Sequence, residues 1–384
     1  MAVLDCIVLG TGGVGSAALN HLARLGARAV GIDRFPPGHD RGSSHGETRI
    51  IRLAYFEHPD YVPLLRRSYE LWGELEERCG RKLYHQTGLL EVGPPGGAVV
   101  PGVLESARRH SLDVEPLDRR EAERRFPGFR IPEGMAAVFE RRAGYLRVED
   151  CVRAHAEEAV RFGAKLAAGE TGLRWRVEGS GERSSVAVET DRGTYRAARL
   201  IIAAGAWAGG LLQDLGIRLE VRRKPLLWFR TATAQYREAD GGPGFFFETP
   251  AGLFYGFPEV GGGEIKVAEH TGGESVADPL AVDRSLRPAD LRPVAEFLRR
   301  HMPGVSAGEC LRHAVCLYTM SRDEHFIVDR HPAHPQVAFA AGLSGHGFKF
   351  TSVLGEILAR LAVDGGTELP IGFLSCTRAG IRGS

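Results

Sequence analysis

Short apolar runs alternate along this chain with polar, glycine-rich breaks, and their spacing predicts the elements. Val3 to Leu9 is mostly apolar and β-favouring, which predicts a buried strand. The turn Gly10-Thr11-Gly12-Gly13-Val14-Gly15 follows, and Ala18, Leu19, Leu22 and Leu25 then recur at helical spacing. Ala29 to Asp33 predicts a second strand. Strand, glycine turn, helix and strand make a βαβ unit, so the fold class is α/β.

Further on, Asp40 to His45 is a polar loop, and Thr48 to Tyr55 sets Arg49 and Arg52 among apolar neighbours. A helix is expected over Pro63 to Cys79 with Leu65, Tyr69, Trp72 and Leu75 inward, and a turn-rich loop over Pro94 to Gly102. Glu149 to Phe162 reads as a helix and Val186 to Leu200 as hairpin strands. Leu200 to Ala204 is an apolar strand running into Gly205-Ala206-Trp207. Lys224 to Thr231 and Phe245 to Phe257 are expected as aromatic-rich strands of a second sheet, and Ala289 to His301 as a helix. Val337 to Ala341 is the last buried strand, before a second glycine loop and a helix over Thr351 to Val363.

At 384 residues the chain is long for one core, so two domains are expected. Hydrophobic residues at 43% and a net charge of +1 show no nucleic-acid or acidic-membrane footprint. No run approaches the roughly 18 apolar residues of a membrane span, and no secretory n-region or cleavage site precedes the first strand. The last four residues, Ile381-Arg382-Gly383-Ser384, do not form a peroxisomal address, and a cytoplasmic protein is expected. The six cysteines form no Cys-x-x-Cys pair, which argues against disulfides and structural zinc, and no metal site is expected.

Gly10-x-Gly12-x-x-Gly15 follows a strand and opens a helix, with Asp33 closing the next strand where a ribose hydroxyl would sit. These are the marks of dinucleotide binding, and alone they do not separate FAD from NAD. Gly342, Gly345 and Gly347 lean towards FAD. They also precede a helix, so backbone N–H groups can converge on the negative edge of a reduced flavin.

These features occur with Ser44-His45-Gly46-Glu47-Thr48-Arg49-Ile50-Ile51-Arg52, Tyr255-Gly256-Phe257-Pro258, Lys266 with His270, Cys316-Leu317-Tyr318-Thr319, and Gly342 to Phe350. In that order, over nearly the full length, they resemble the monomeric sarcosine oxidase family, which includes N-methyl-tryptophan and pipecolate oxidases. Ser321-Arg322 is a small departure in a polar turn.

The resemblance implies an FAD-binding, Rossmann-like domain of the glutathione-reductase type with an inserted mixed or antiparallel substrate sheet. The expected division is 1–80, 145–215 and 310–384 for FAD, and 81–144 and 216–309 for substrate. It implies FAD bonded covalently to Cys316, with Gly10, Gly12, Gly15, Asp33, Arg34, Ser43, Thr48, Gly342, Gly345 and Gly347 around the cofactor. Arg52 and Lys349 are expected to hold a substrate carboxylate, and Tyr318 to line the pocket. Lys266 is expected to promote reduction of O₂, with His45, Arg49, Tyr255 and His270 completing the site. The implied reaction is oxidation of the C–N bond of a small N-methyl amino acid such as sarcosine. The imine is hydrolysed, O₂ becomes hydrogen peroxide, and the enzyme is a monomer. Alternatives are N-methyl-L-tryptophan or L-pipecolate as substrate, a dehydrogenase feeding an electron carrier, or a non-catalytic flavin-binding protein.

Overall fold

The structure is a computed structural model that describes residues 4–180 and 184–381. Val3, in the expected first strand, and Arg382 to Ser384, in the C-terminal tail expected to hold no peroxisomal address, lie outside the described residues.

The first strand, Leu4–Leu9, leads through the glycine turn into helix Gly13–Arg24 and strand Ala29–Asp33. Leu4–Leu9 lies between Ala29–Asp33 and Thr194–Ile202, parallel to both. Lys165–Ala168 extends the sheet on one side and His334–Ala341 on the other, again in parallel. The antiparallel strands Gly172–Glu178, Ser185–Thr190 and Ile327–His331 complete its eight strands.

Why the parallel strands read as continuous apolar runs is clear from their two faces. Cys6 and Val8 pack against helices Gly13–Arg24 and Thr351–Val363, with Ile201, Ala338 and Ala340 beside them. Ile7 and Leu9 point the other way, with Leu200, Ile202, Val337 and Phe339. A strand buried on both sides cannot alternate apolar with polar.

The second sheet has nine strands, centred on Glu220–Thr231, Gly244–Thr249, Gly252–Gly256 and Glu264–Glu269. One face carries Phe229, Phe245, Phe247, Phe254, Ile265 and Val267 against helix Pro288–His301. The opposite face carries Trp228, Phe246, Tyr255, Ala268, Cys316 and Tyr318. Period two in these strands therefore sends one set of aromatics to a core and leaves the other set for the site.

Three expectations are corrected. The boundary at 310 falls inside the strand Val305–Met320, which pairs with Glu220–Thr231 along its length and belongs to the second sheet. The expected loop at Pro94 to Gly102 runs into helix Val99–His110, where Pro101 occupies the first turn, which tolerates proline. Leu25, placed by its spacing within the helix, instead follows the last helical residue, Arg24, and is 43% exposed. No described helix is long and apolar enough to cross a membrane.

Candidate active site

A cavity of about 480 Å³ opens where the parallel strands end. The glycine turn, the Ala203–Trp207 segment and the Gly342–Gly347 loop border it, as expected for a ligand at the carboxyl edge of an α/β sheet. Two glycines of the turn are required by the protein itself. Gly10 has φ 88°, and a Cβ on Gly15 would stand 1.8 Å from the Gly10 carbonyl oxygen. Gly12 differs, because a Cβ there would meet nothing closer than Ser44 Oγ at 3.9 Å, and Gly12 lines the cavity. The space above it is kept for a ligand and not for packing. Helix Gly13–Arg24 starts at this point with no cap from its own N-terminal residue, the Gly13 amide donating to Ser44 Oγ at 3.2 Å, and its positive end suits a pyrophosphate.

Asp33 lines the same cavity, with Oδ2 accepting from the Thr11 amide at 2.6 Å and Oδ1 from the Phe35 amide at 2.9 Å. Arg34, Ser43, Gly342, Gly345 and Gly347 also line it, whereas Gly15, Thr48 and Cys316 do not. Phe35 and Trp207 were missed by sequence reasoning. A signal existed in Gly205, which follows its strand as Gly10 follows the first one and has φ 52°.

A second cavity, of about 40 Å³, shares Arg49, Tyr318, Gly345 and Phe348 with the first. It brings together Arg49, Arg52, Lys349, Tyr255, His270 and Tyr318, six residues scattered from one end of the chain to the other. His270 Nδ1 lies 3.3 Å from the Tyr318 hydroxyl. Burial, then the nearby Lys224 charge, lowers the His270 pKa to about 3, so the ring is neutral.

The cations here are buried and not equally paired. Arg52 Nη2 donates to both Glu57 oxygens at 2.8 Å, and its guanidinium lies over Tyr55 and Phe56 at 4.4 and 4.3 Å. Burial, the largest influence, raises the Glu57 pKa, but the charges of Arg52, His346 and Lys349 and the Arg52 hydrogen bond together outweigh it and hold the acid at about 2. Glu91 stands 3.6 Å from Arg52 Nε with neither carboxyl oxygen hydrogen-bonded among the described residues, and burial pushes it up to about 8. Lys349 Nζ donates to the His346 carbonyl at 2.8 Å. Burial, then the Arg52 charge, lowers Lys349 to about 7. Glu57 and Glu91 were missed because neither belongs to a recognisable motif.

Lys266 and Cys316 line neither cavity, Cys316 touching Arg49, which lines both. The turn at Gly46 and Glu47 is left-handed at both residues, with φ 87° and 72°. Its amides donate to the Glu149 carboxylate. Lys266 Nζ donates to the Gly46 and Thr48 carbonyls at 2.5 and 2.8 Å and to Thr48 Oγ1 at 3.2 Å. Burial, followed by the Arg49 charge, pulls the Lys266 pKa well down. Arg49 Nη2 donates to the Ser43 carbonyl at 3.0 Å and to Cys316 Sγ at 3.2 Å. His45 is buried nearby, lowered to about 3 by burial and then by Arg49, and its Nε2 has no hydrogen-bond partner among the described residues.

Comparison with known proteins agrees with this geometry. Residues 5–361 match the family described as FAD dependent oxidoreductase. The monomeric sarcosine oxidase of Bacillus sp. (strain B-0618) is 43% identical over 99% of this chain and 97% of its own. The chain belongs to the monomeric sarcosine oxidase family of FAD-dependent oxidoreductases. An N-methyl-L-tryptophan oxidase from Yersinia pestis (strain Pestoides F) is 37% identical over 97% of this chain and 99% of its own. The solved open form of NikD, an unusual amino acid oxidase essential for nikkomycin biosynthesis, superimposes with a TM-score of 0.84 at 28% identity, covering 98% of both chains. FAD is therefore the dinucleotide, and the open space over Gly12 suits its pyrophosphate.

Proposed function

We propose that the protein oxidises the C–N bond of a small N-methyl amino acid of the sarcosine type. The observation that carries this is the cationic second cavity, lined by Arg52 and Lys349 together with Tyr255, His270 and Tyr318. Bound FAD would supply the electron acceptor for the amine and the reductant for O₂, giving hydrogen peroxide. Arg52 and Lys349 orient the substrate through its carboxylate, the planar fork and the point charge acting together. Neutral His270 and the two tyrosines bound the amine end without adding positive charge. Lys266 provides a fixed cation on the flavin side for the charge that O₂ acquires. Cys316, bonded to Arg49, is the attachment point for covalent flavin.

The reading also includes the interleaved two-domain division, with the second sheet taken to Met320, and a cytoplasmic monomer. A peroxide assay on sarcosine, N-methyl-L-tryptophan and L-pipecolate tests it. Peroxide from sarcosine with the highest kcat/KM is expected. No peroxide from any of the three, with the flavin nevertheless bleached by substrate, would identify a dehydrogenase. No bleaching at all would point to a non-catalytic flavin protein.

A further inference from the structure

The hairpin joining strands Ile327–His331 and His334–Ala341 turns between two histidines that face Asp214, in the short turn Gln213–Leu215. One donor atom from each of Asp214, His331 and His334 lies within 4.8 Å of the other two. Among the described residues this is the one grouping of its kind. His331 is 2% exposed, and its Nε2 stands 2.9 Å from Asp214 Oδ2. Asp214 pairs with Nε2 by charge, but among the described residues Nε2 has no hydrogen-bond partner aligned as donor and acceptor. A spacing of this size is what two adjacent ligands show on a metal with bonds of about 2.0–2.2 Å.

The surroundings are rigid. The His331 and His334 rings stack at 4.8 Å, and Trp175 packs edge-on against them at 5.7 and 5.5 Å. Trp175 Nε1 is tied to the Leu211 carbonyl at 2.8 Å. One bond would be given up. The Ala333 amide reaches His331 Nδ1 at 3.3 Å, and ligation through Nε2 moves the ring proton to Nδ1.

We propose that Asp214, His331 and His334 bind one divalent transition metal of mixed nitrogen and oxygen preference, such as Zn²⁺, Ni²⁺ or Cu²⁺, with water in the remaining positions. This departs from the expectation of no metal, which rested on cysteine spacing. The three residues lie outside both cavities, but Gln213, next to Asp214, lines the cofactor cavity. The metal therefore braces the wall of the cofactor site and takes no part in the reaction.

The test uses tag-free, EDTA-treated holoenzyme titrated with NiCl₂ and ZnCl₂ by calorimetry, and with Ni²⁺ or Cu²⁺ by tryptophan fluorescence. One equivalent should bind and quench the emission. Trp175→Phe should keep the stoichiometry and lose the quench. His334→Ala and Asp214→Asn, both at less buried positions, should weaken binding by more than about tenfold while oxidase activity in EDTA is unchanged. Failure to bind at millimolar metal would overturn the proposal. So would affinity unaltered in both variants, or quenching that persists in Trp175→Phe, since the metal would then sit elsewhere, for instance on Cys79 or Cys310.

Discussion

Glu57 already occupies the guanidinium that a substrate carboxylate needs, so binding at Arg52 is an exchange of one carboxylate for another. Glu57→Gln keeps the shape and removes the competing charge. Two unit charges about 4 Å apart attract by roughly 4 kcal/mol at an effective dielectric of about 20. The Arg52 and Glu57 side chains are 3% and 16% exposed, so screening by solvent is modest. If the incoming carboxylate recovers about half of that attraction, binding tightens by about 2 kcal/mol, close to 30-fold. The assay is titration of the flavin absorbance with a small carboxylate such as methoxyacetate, and with its uncharged amide. It is best run near pH 6, where Lys349, lowered to about 7, is mostly protonated. The amide should change by no more than about twofold. Arg52→Ala should then weaken the carboxylate more in the Glu57→Gln background than in the parent. A carboxylate affinity that is unchanged or weaker in Glu57→Gln, with the flavin spectrum intact, would refute the idea that Glu57 and substrate share Arg52.

The remaining predictions concern charge, cofactor and fold. Carboxylate affinity should fall as pH rises through about 7, because Lys349 loses its proton there, and Glu91, at about 8, gains a negative charge just above. Lys349→Met should reduce that slope and Lys349→Met with Glu91→Gln should abolish it, as read from dissociation constants between pH 6 and 9. Lys266→Met should slow reoxidation of reduced enzyme by about 10²–10³ in stopped flow, with the reductive half-reaction much less affected. Cys316→Ala should fold and still bind FAD, but acid precipitation should leave the yellow colour in the supernatant instead of the pellet. Gly12→Ala should fold with loss of FAD, since its Cβ meets no protein atom within 3.9 Å, whereas Gly15→Ala should unfold the turn. Circular dichroism and the visible spectrum separate the two.

The local elements were legible in the sequence because local rules decide them. Period and glycine placement defined the βαβ opening, and helix Thr351–Val363 has the expected bounds. Helix Val99–His110 was hidden by Pro94, Pro95, Gly96 and Gly97, which read as continuing loop although the helix begins just beyond them. Motifs also named most residues of the second cavity, Glu57 and Phe246 excepted, but as separate stretches with no stated distance between them.

By itself the sequence determined the α/β class, the dinucleotide turn and the set of cations, since each depends on residue type and short-range spacing. Tertiary structure decided which way those cations point and what they meet. Ile265 and Val267 could not orient Lys266 in the sequence, because apolar neighbours fit either face of a strand. Only once both pack into the aromatic core with Phe229 and Phe297 must Lys266 face the opposite side, with Trp228 and the Gly46 turn. Arg52 likewise reads as a free cation until folding closes Glu57 and Glu91 around it. Charge pairing of this kind is set by through-space distance and burial, which no local pattern records.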